Sequence, residues 1–185
     1  SLRTRVTFEV GITSMGGHAV YLDHAKPRLG ERESIKDVAR NLERWVDGIV
    51  ARTFAHSAVT ELAENASIPV INALTDRFHP CQVLSDLMTI LEKRGNLDKL
   101  KVAWVGDGNN VAHSWIEAAH VLGFELVLAC PNGYHPLPEI VEGPNKKIRI
   151  LGDPKKAVKG ADAVNTDVWS SMGQEHQRKK RIAAF

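Results

Sequence analysis

The chain has 185 residues, of which 43% are hydrophobic and 25% charged, a make-up that excludes a disordered polypeptide and fits a globular protein with a buried core. Its 24 Lys and Arg against 22 Asp and Glu leave a formal net charge of +2, too small for the basic surface of a nucleic-acid binder. Cys81 and Cys130 are too few for a disulfide scaffold, and no apolar run approaches the roughly 18 residues of a membrane span, so a cytoplasmic protein with no membrane partner is expected, or a mitochondrial-matrix one if the source is eukaryotic.

Taken in chain order, residues 4–16 carry Val6, Phe8, Val10 and Ile12 and are long enough to favour a helix, which Gly16-Gly17 stops. His18–Leu22 predicts a strand, and residues 24–33, with Pro27 and Gly30, a loop. Ser34 predicts a helix N-cap, with Asp37 at the capping-box position. Ile35, Val38, Leu42 and Trp45 follow at helical spacing. Strands are predicted at 48–52 and 68–72, with a helix at 56–66 between them. The longest helix is predicted at 81–94, after Pro80 and before Gly95. A strand at 101–105 then runs into Gly106-Asp107-Gly108-Asn109-Asn110 and a helix bearing Val111, Trp115, Ala118, Ala119 and Leu122. Further strands are predicted at 125–129, 147–151 and 161–164, with short helices at 136–142 and 154–160. Trp45, Trp104 and Trp115 read as core, and Trp169 as core or cleft. The basic run Arg178–Arg181 reads as a solvated helix face.

The alternation of strand and helix predicts an α/β protein of two doubly wound, parallel-sheet (Rossmann-like) halves, 1–84 and 85–185, joined by the long helix. Ligands of such sheets sit at the carboxyl ends of the strands, and the informative residues fall there. Ser1-Leu2-Arg3-Thr4-Arg5 opens a helix, where free N–H groups and guanidinium forks suit an anion. Arg52 ends an apolar strand. His79 and Gln82 share the first turn of the long helix, each able to donate to a carbonyl oxygen. Gly106–Asn110 resembles a dinucleotide turn, but Val111 stands where its last glycine belongs, and Ala129-Cys130 stand where a ribose-binding acid would close the next strand. Asp167, with Ser170, Ser171, Met172 and Gly173 on the loop beyond it, suits an amine ligand. No Cys/His spacing fits a metal, and no nucleophile elbow or Walker loop occurs. His18, His24, His56, His113, His120, His135 and His176 are scattered and receive no role.

In this order the motifs S-x-R-T-R, strand-end Arg52, H-P-C-Q, G-D-G-N-N and D-x-W-x-S-M-G resemble the aspartate/ornithine transcarbamylase family over nearly the whole chain. The resemblance implies transfer of the carbamoyl group of carbamoyl phosphate to an amine, and the S-M-G loop points to the δ-amine of L-ornithine, giving L-citrulline and phosphate. By the same resemblance Ser1, Leu2 (through its N–H), Arg3 and Thr4 would hold the phosphate. Arg52 would reach phosphate and carbonyl, and His79 and Gln82 would hold the carbamoyl group. Asn110, Asp167, Ser171 and Met172 would hold ornithine. Arg52, His79 and Thr4 would be the catalytic groups, with no cofactor or metal. A homotrimer or a multiple of trimers is implied, with the loop near Arg28–Glu33 reaching a neighbour.

Leu2 replaces the usual threonine of the phosphate motif, and the stretch between Pro131 and Ile150 is short for the family. The family's segments before the first motif and after the S-M-G loop, including an H-C-L-P cysteine, are not in this sequence. Two alternatives therefore stand beside the first reading. One is a sibling transferase using putrescine or aspartate; the other is a fragment that folds without catalysing.

Overall fold

The computed structural model describes residues 2–23, 29–169 and 178–185, with the backbone alone at 178. The chain divides into two compact units, Ser1–Ala51 with Ser57–Ala73, and Arg52–His56 with Leu74–Phe185.

In the first unit, α1 (Leu2–Ser14) buries none of its residues. Ser34 caps α2 (Ile35–Leu42): its Oγ accepts from the Asp37 N–H at 3.1 Å and donates to the Asp37 carboxylate at 2.7 Å. The expected capping box is present, with the carboxylate returning to the cap's hydroxyl rather than to its N–H. β1 (Ile49–Arg52), α3 (His56–Asn65) and β2 (Val70–Leu74) follow, and β1 pairs with β2. Ala39, Ala51, Val59 and Leu62 form a small core.

Three expectations for this stretch are corrected. Residues 18–22 are not a strand; Val20, Tyr21 and Leu22 stay exposed, and the Arg5 guanidinium lies 4.1 Å from the centre of the Tyr21 ring. A β-prone run becomes a strand only where another strand pairs with it, and none does among the described residues. The second strand begins at Val70 rather than Ile68 because Pro69 has no N–H to give; its carbonyl instead accepts from Ile49 at 2.9 Å. Trp45 is not core. α2 ends at Leu42, before Trp45 completes the apolar stripe, and the indole is 75% exposed.

The second unit meets its prediction closely. It contains α4 (Pro80–Arg94), β3 (Lys101–Val105), α5 (Asn110–Leu122), β4 (Glu125–Ala129), α6 (Pro138–Val141), β5 (Ile148–Leu151), α7 (Pro154–Val158), β6 (Ala163–Asn165) and α8 (Arg178–Ala184). The four strands are parallel, in the order β5-β4-β3-β6. Strand alternation sends Val102, Trp104, Leu126 and Leu128 into one core with Val83 and Leu87 of α4 and Val111, Trp115, Ile116 and Ala119 of α5. Val127 and Ala129 point to the other face, against Ala157 of α7. Helices on both faces make the sheet doubly wound. Because β4 lies on one side of β3 and β6 on the other, the chain reverses its winding at β3 and leaves a crevice at its carboxyl end.

The basic run is also corrected. Lys179 and Lys180 of α8 are exposed, but Arg181 is only 6% exposed, and its Nη1 donates to the Asp107 carboxylate and, at 3.2 Å, to the Trp169 carbonyl. No helix among the described residues is long and apolar enough to cross a membrane.

Candidate active site

β3 ends in the turn Gly106–Asn110 at the crevice. Gly106 has φ of 147°, a region open essentially to glycine. Gly108 donates to the Tyr134 carbonyl at 2.8 Å, and a Cβ there would fall inside the backbone of His135 and Pro136. The turn therefore needs both glycines for shape.

Asn109 uses both ends of its amide. Its Oδ1 caps α5, accepting from Val111 at 3.0 Å and Ala112 at 3.2 Å, while its Nδ2 donates to Asp167 just beyond β6 at 2.9 Å. Asn110 donates to the Thr75 carbonyl at 2.7 Å. Thr75 is fully buried and folds the 75–79 loop on itself: its Oγ1 accepts from Arg77 at 3.3 Å and Phe78 at 3.1 Å, and its N–H donates to Phe78 at 2.8 Å.

That loop delivers His79, the N-cap residue of α4. The His79 backbone N–H donates to Ser114 Oγ at 2.7 Å, and Ser114 donates to the Asn110 carbonyl at 3.0 Å. One serine on α5 thus ties the histidine loop to the β3 turn. The His79 Nδ1 atom is buried and has no hydrogen-bond partner among the described residues. Burial lowers the His79 pKa from its ordinary 6.5 and the Arg52 cation lowers it further, while Asp167 and Asp86 oppose both. The imidazole is therefore neutral at pH 7, with one N–H to donate. Burial also lowers the Arg52 pKa, from a value so high that the guanidinium stays charged. One turn into α4, Gln82 Nε2 donates to Asp86 at 2.9 Å, and Asp86 accepts from Asn165 of β6 at 2.9 Å.

Of the expected site residues, the second unit brings Arg52 and Asp167 each into electrostatic reach of His79, and it anchors Gln82 to Asp86 and Asn110 to Thr75. Leu2, Arg3 and Thr4 form the first turn of α1 in the other unit, a turn with no acidic residue to oppose an anion. Ser1, Ser171 and Met172 lie outside the described residues, as does Arg28 of the loop expected to reach a neighbour. Sequence reasoning missed Thr75, Asp86, Asn109, Ser114 and Arg181. Asn109 carried a legible signal, an Asn directly before a helix, and Asp86 stands four residues beyond Gln82 on one helix face. Thr75, Ser114 and Arg181 gave none, because their partners lie 35 or more positions away or within a loop whose closure no pattern announces.

Burial pushes the Cys81 thiol up and that of Cys130 up to about 12, so neither is a ready nucleophile at neutral pH. Among the described residues no group of His, Cys, Asp and Glu could hold a metal ion. The site offers a cation, a neutral imidazole donor and an amide around one region, with a carboxylate nearby. That set suits polarising a carbonyl oxygen while an amine is held alongside.

Residues 1–92 match the family model described as the carbamoyl-P binding domain of aspartate/ornithine carbamoyltransferase, and residues 98–185 the model of its Asp/Orn binding domain. An ornithine carbamoyltransferase from Geobacter metallireducens is 51% identical over 189 residues, covering 100% of this chain and 62% of the relative. The crystal structure of ornithine carbamoyltransferase from Thermus thermophilus superposes with a TM-score of 0.88 at 48% identity, covering 100% of this chain and 62% of the other. The solved structure of the ornithine carbamoyltransferase from Pyrococcus furiosus gives 0.91 at 47%, with coverages of 100% and 61%. The chain thus spans about three-fifths of the length of the curated relatives it matches.

Proposed function

Since the chain belongs to the aspartate/ornithine carbamoyltransferase family, we propose that it carries out, as it stands or as part of a longer polypeptide, the transfer of a carbamoyl group from carbamoyl phosphate to the δ-amine of L-ornithine. The observation that carries this reading is that Arg52 and Asp167 both act on the neutral His79 imidazole, with Asp167 held by Asn109 of the β3 turn. Residues 1–84 would bind carbamoyl phosphate and residues 85–185 ornithine.

Arg3, Thr4 and the N–H groups opening α1, with Ser1 and Leu2, hold the phosphate. Arg52 spans phosphate and carbonyl. His79 donates its N–H to the carbamoyl oxygen, and Gln82 holds the carbamoyl nitrogen. Asp167 faces the α-ammonium of ornithine, with Asn110, Ser171 and Met172 completing the acceptor pocket. The neutral δ-amine attacks the carbamoyl carbon, a C–N bond forms, and negative charge grows on the oxygen that Arg52, Thr4 and His79 face. Loss of one such donor costs about 3 kcal/mol of transition-state stabilisation. The C–O bond to phosphate then breaks; the departing phosphate stays against the α1 terminus and is a candidate to take the amine proton. No metal or cofactor takes part in these steps. Three copies of the chain would form the working assembly.

The test is citrulline formation by the 185-residue chain supplied with carbamoyl phosphate and L-ornithine, with putrescine and L-aspartate run alongside. Preference for either alternative acceptor would replace the ornithine reading with the sibling one. No product from any acceptor would leave a folded piece of a transferase that does not catalyse alone.

A further inference from the structure

The contacts of Arg181 serve no step of the mechanism above, yet they are costly to build. Its guanidinium is buried, donates to the buried Asp107 carboxylate in the middle of the β3 turn, and donates also to the Trp169 carbonyl, two residues beyond Asp167. The Tyr134 ring lies 4.9 Å from it, and Phe185 stacks on Trp169 at 5.7 Å and 9° while standing 5.0 Å from Tyr134. Burial pushes the Asp107 pKa up, and the Arg181 cation opposes that rise. A pair removed from water in this way is a weak source of stability, but it fixes geometry strongly, since breaking it strands a buried charge. What it fixes is specific: the turn that presents Asn109 on one side, and the chain that presents Asp167 on the other. Those two residues hold each other at 2.9 Å.

We propose that Arg181 is a positioning residue for the acceptor amino acid: from α8 it pins the β3 turn and the chain after β6 together, holding Asp167 against Asn109 in the orientation that receives the acceptor's ammonium. This rests on the carbamoyl-transfer reading, which makes Asp167 part of the acceptor pocket. It assigns α8 a part in acceptor affinity and none in phosphate affinity.

The test uses ¹⁵N-labelled 185-residue chain, as wild type and as Arg181→Met, Arg181→Lys and Asp107→Asn. Each is titrated with L-ornithine and, separately, with inorganic phosphate, while the Asn109 side-chain amide resonances are followed. In Arg181→Met and Asp107→Asn those resonances are expected to move, and L-ornithine affinity to fall about tenfold, the worth of one charged hydrogen bond. Phosphate affinity stays within about twofold. Arg181→Lys, which keeps the charge but not the planar guanidinium whose Nη1 serves both acceptors, recovers part of the loss. If Arg181→Met does not fold, the other two variants carry the same comparison. Unmoved Asn109 resonances with unchanged L-ornithine affinity would overturn the proposal, as would an equal loss of both ligands with shifts throughout the spectrum. If wild type itself binds no L-ornithine, the acceptor role is overturned for this chain, and the Asn109 resonances then show only whether Arg181 orders the β3 turn.

Discussion

Asn109 is asked for two things at once. Its carbonyl end satisfies orphan N–H groups at the start of α5, and its amide end holds Asp167. Asn109→Ala is therefore expected to cost about 1 kcal/mol of stability by urea denaturation, the usual worth of an N-cap, and to weaken acceptor binding in the same variant. Gly108→Ala meets a harder obstacle, because the added methyl collides with the backbone of His135 and Pro136, which cannot rotate away. A loss of about 1–3 kcal/mol is expected in the same measurement. Arg52→Ala separates chemistry from folding: turnover is expected to vanish while the near-ultraviolet circular dichroism stays that of wild type. At this scale the sequence displayed the groups proposed to touch substrate, because their chemical types are unusual at strand and helix ends. It did not display Ser114, whose hydroxyl joins His79 to Asn110, since a serine inside an amphipathic helix looks like any other polar position.

Elements differ in how much of their reason for existing is local. β3 and β4 are short apolar runs bounded by turn residues, and Leu126 and Trp104 are completely buried where the alternation puts them. Leu126→Ala is expected to cost about 2–5 kcal/mol, read from the shift of the urea midpoint. Trp45→Ser, at a position the helical spacing assigns to a core, is expected to change stability by no more than about 0.5 kcal/mol, because the indole is already in water. The difference between these residues is not hydrophobicity. Leu126 sits in a strand with parallel neighbours on both sides, whereas the stripe on α2 stops one turn before Trp45. Residues 18–22 fail as a strand for the same reason, since periodicity reports what a segment offers and not whether a partner receives it. Arg181 is the converse case, a charged residue on a short basic helix whose burial is decided by Asp107, 74 positions earlier.

For the molecule, the class of fold was legible from the order of elements, and the second unit reproduces it strand by strand. The partition was less so, because Arg52–His56 belongs with the later unit while the chain on both sides belongs with the earlier one, an interleaving that no linear boundary represents. One global property follows from the buried His113 and the half-buried His79. Burial lowers the pKa of His79 and of His113, whose Nδ1 stands 2.9 Å from the Arg77 carbonyl and whose Nε2 accepts from the Leu137 N–H at 3.2 Å. Both rings are held neutral in the folded chain. As pH falls through 6.5, the ordinary value, the unfolded chain takes up protons that the folded chain refuses. Stability is therefore expected to fall as pH drops below about 6.5 and to level off only below the depressed values. Urea midpoints across pH 5–8 check this, and His113→Gln should flatten part of the slope.

The placement of the four tryptophans carries an optical consequence. Trp104 and Trp115 are sealed inside the second unit and Trp169, 43% exposed, lies at its surface, while Trp45 alone reports on the first, from water. Buried indoles emit at shorter wavelength than hydrated ones, so the blue edge of the emission belongs to the doubly wound sheet, while the red edge is shared by Trp45, its constant part, and the half-exposed Trp169. A ligand or denaturant that loosens the sheet shifts the spectrum, whereas melting of the first unit leaves its wavelength almost still. The chain thus carries an unlabelled fluorophore set that tells its two units apart.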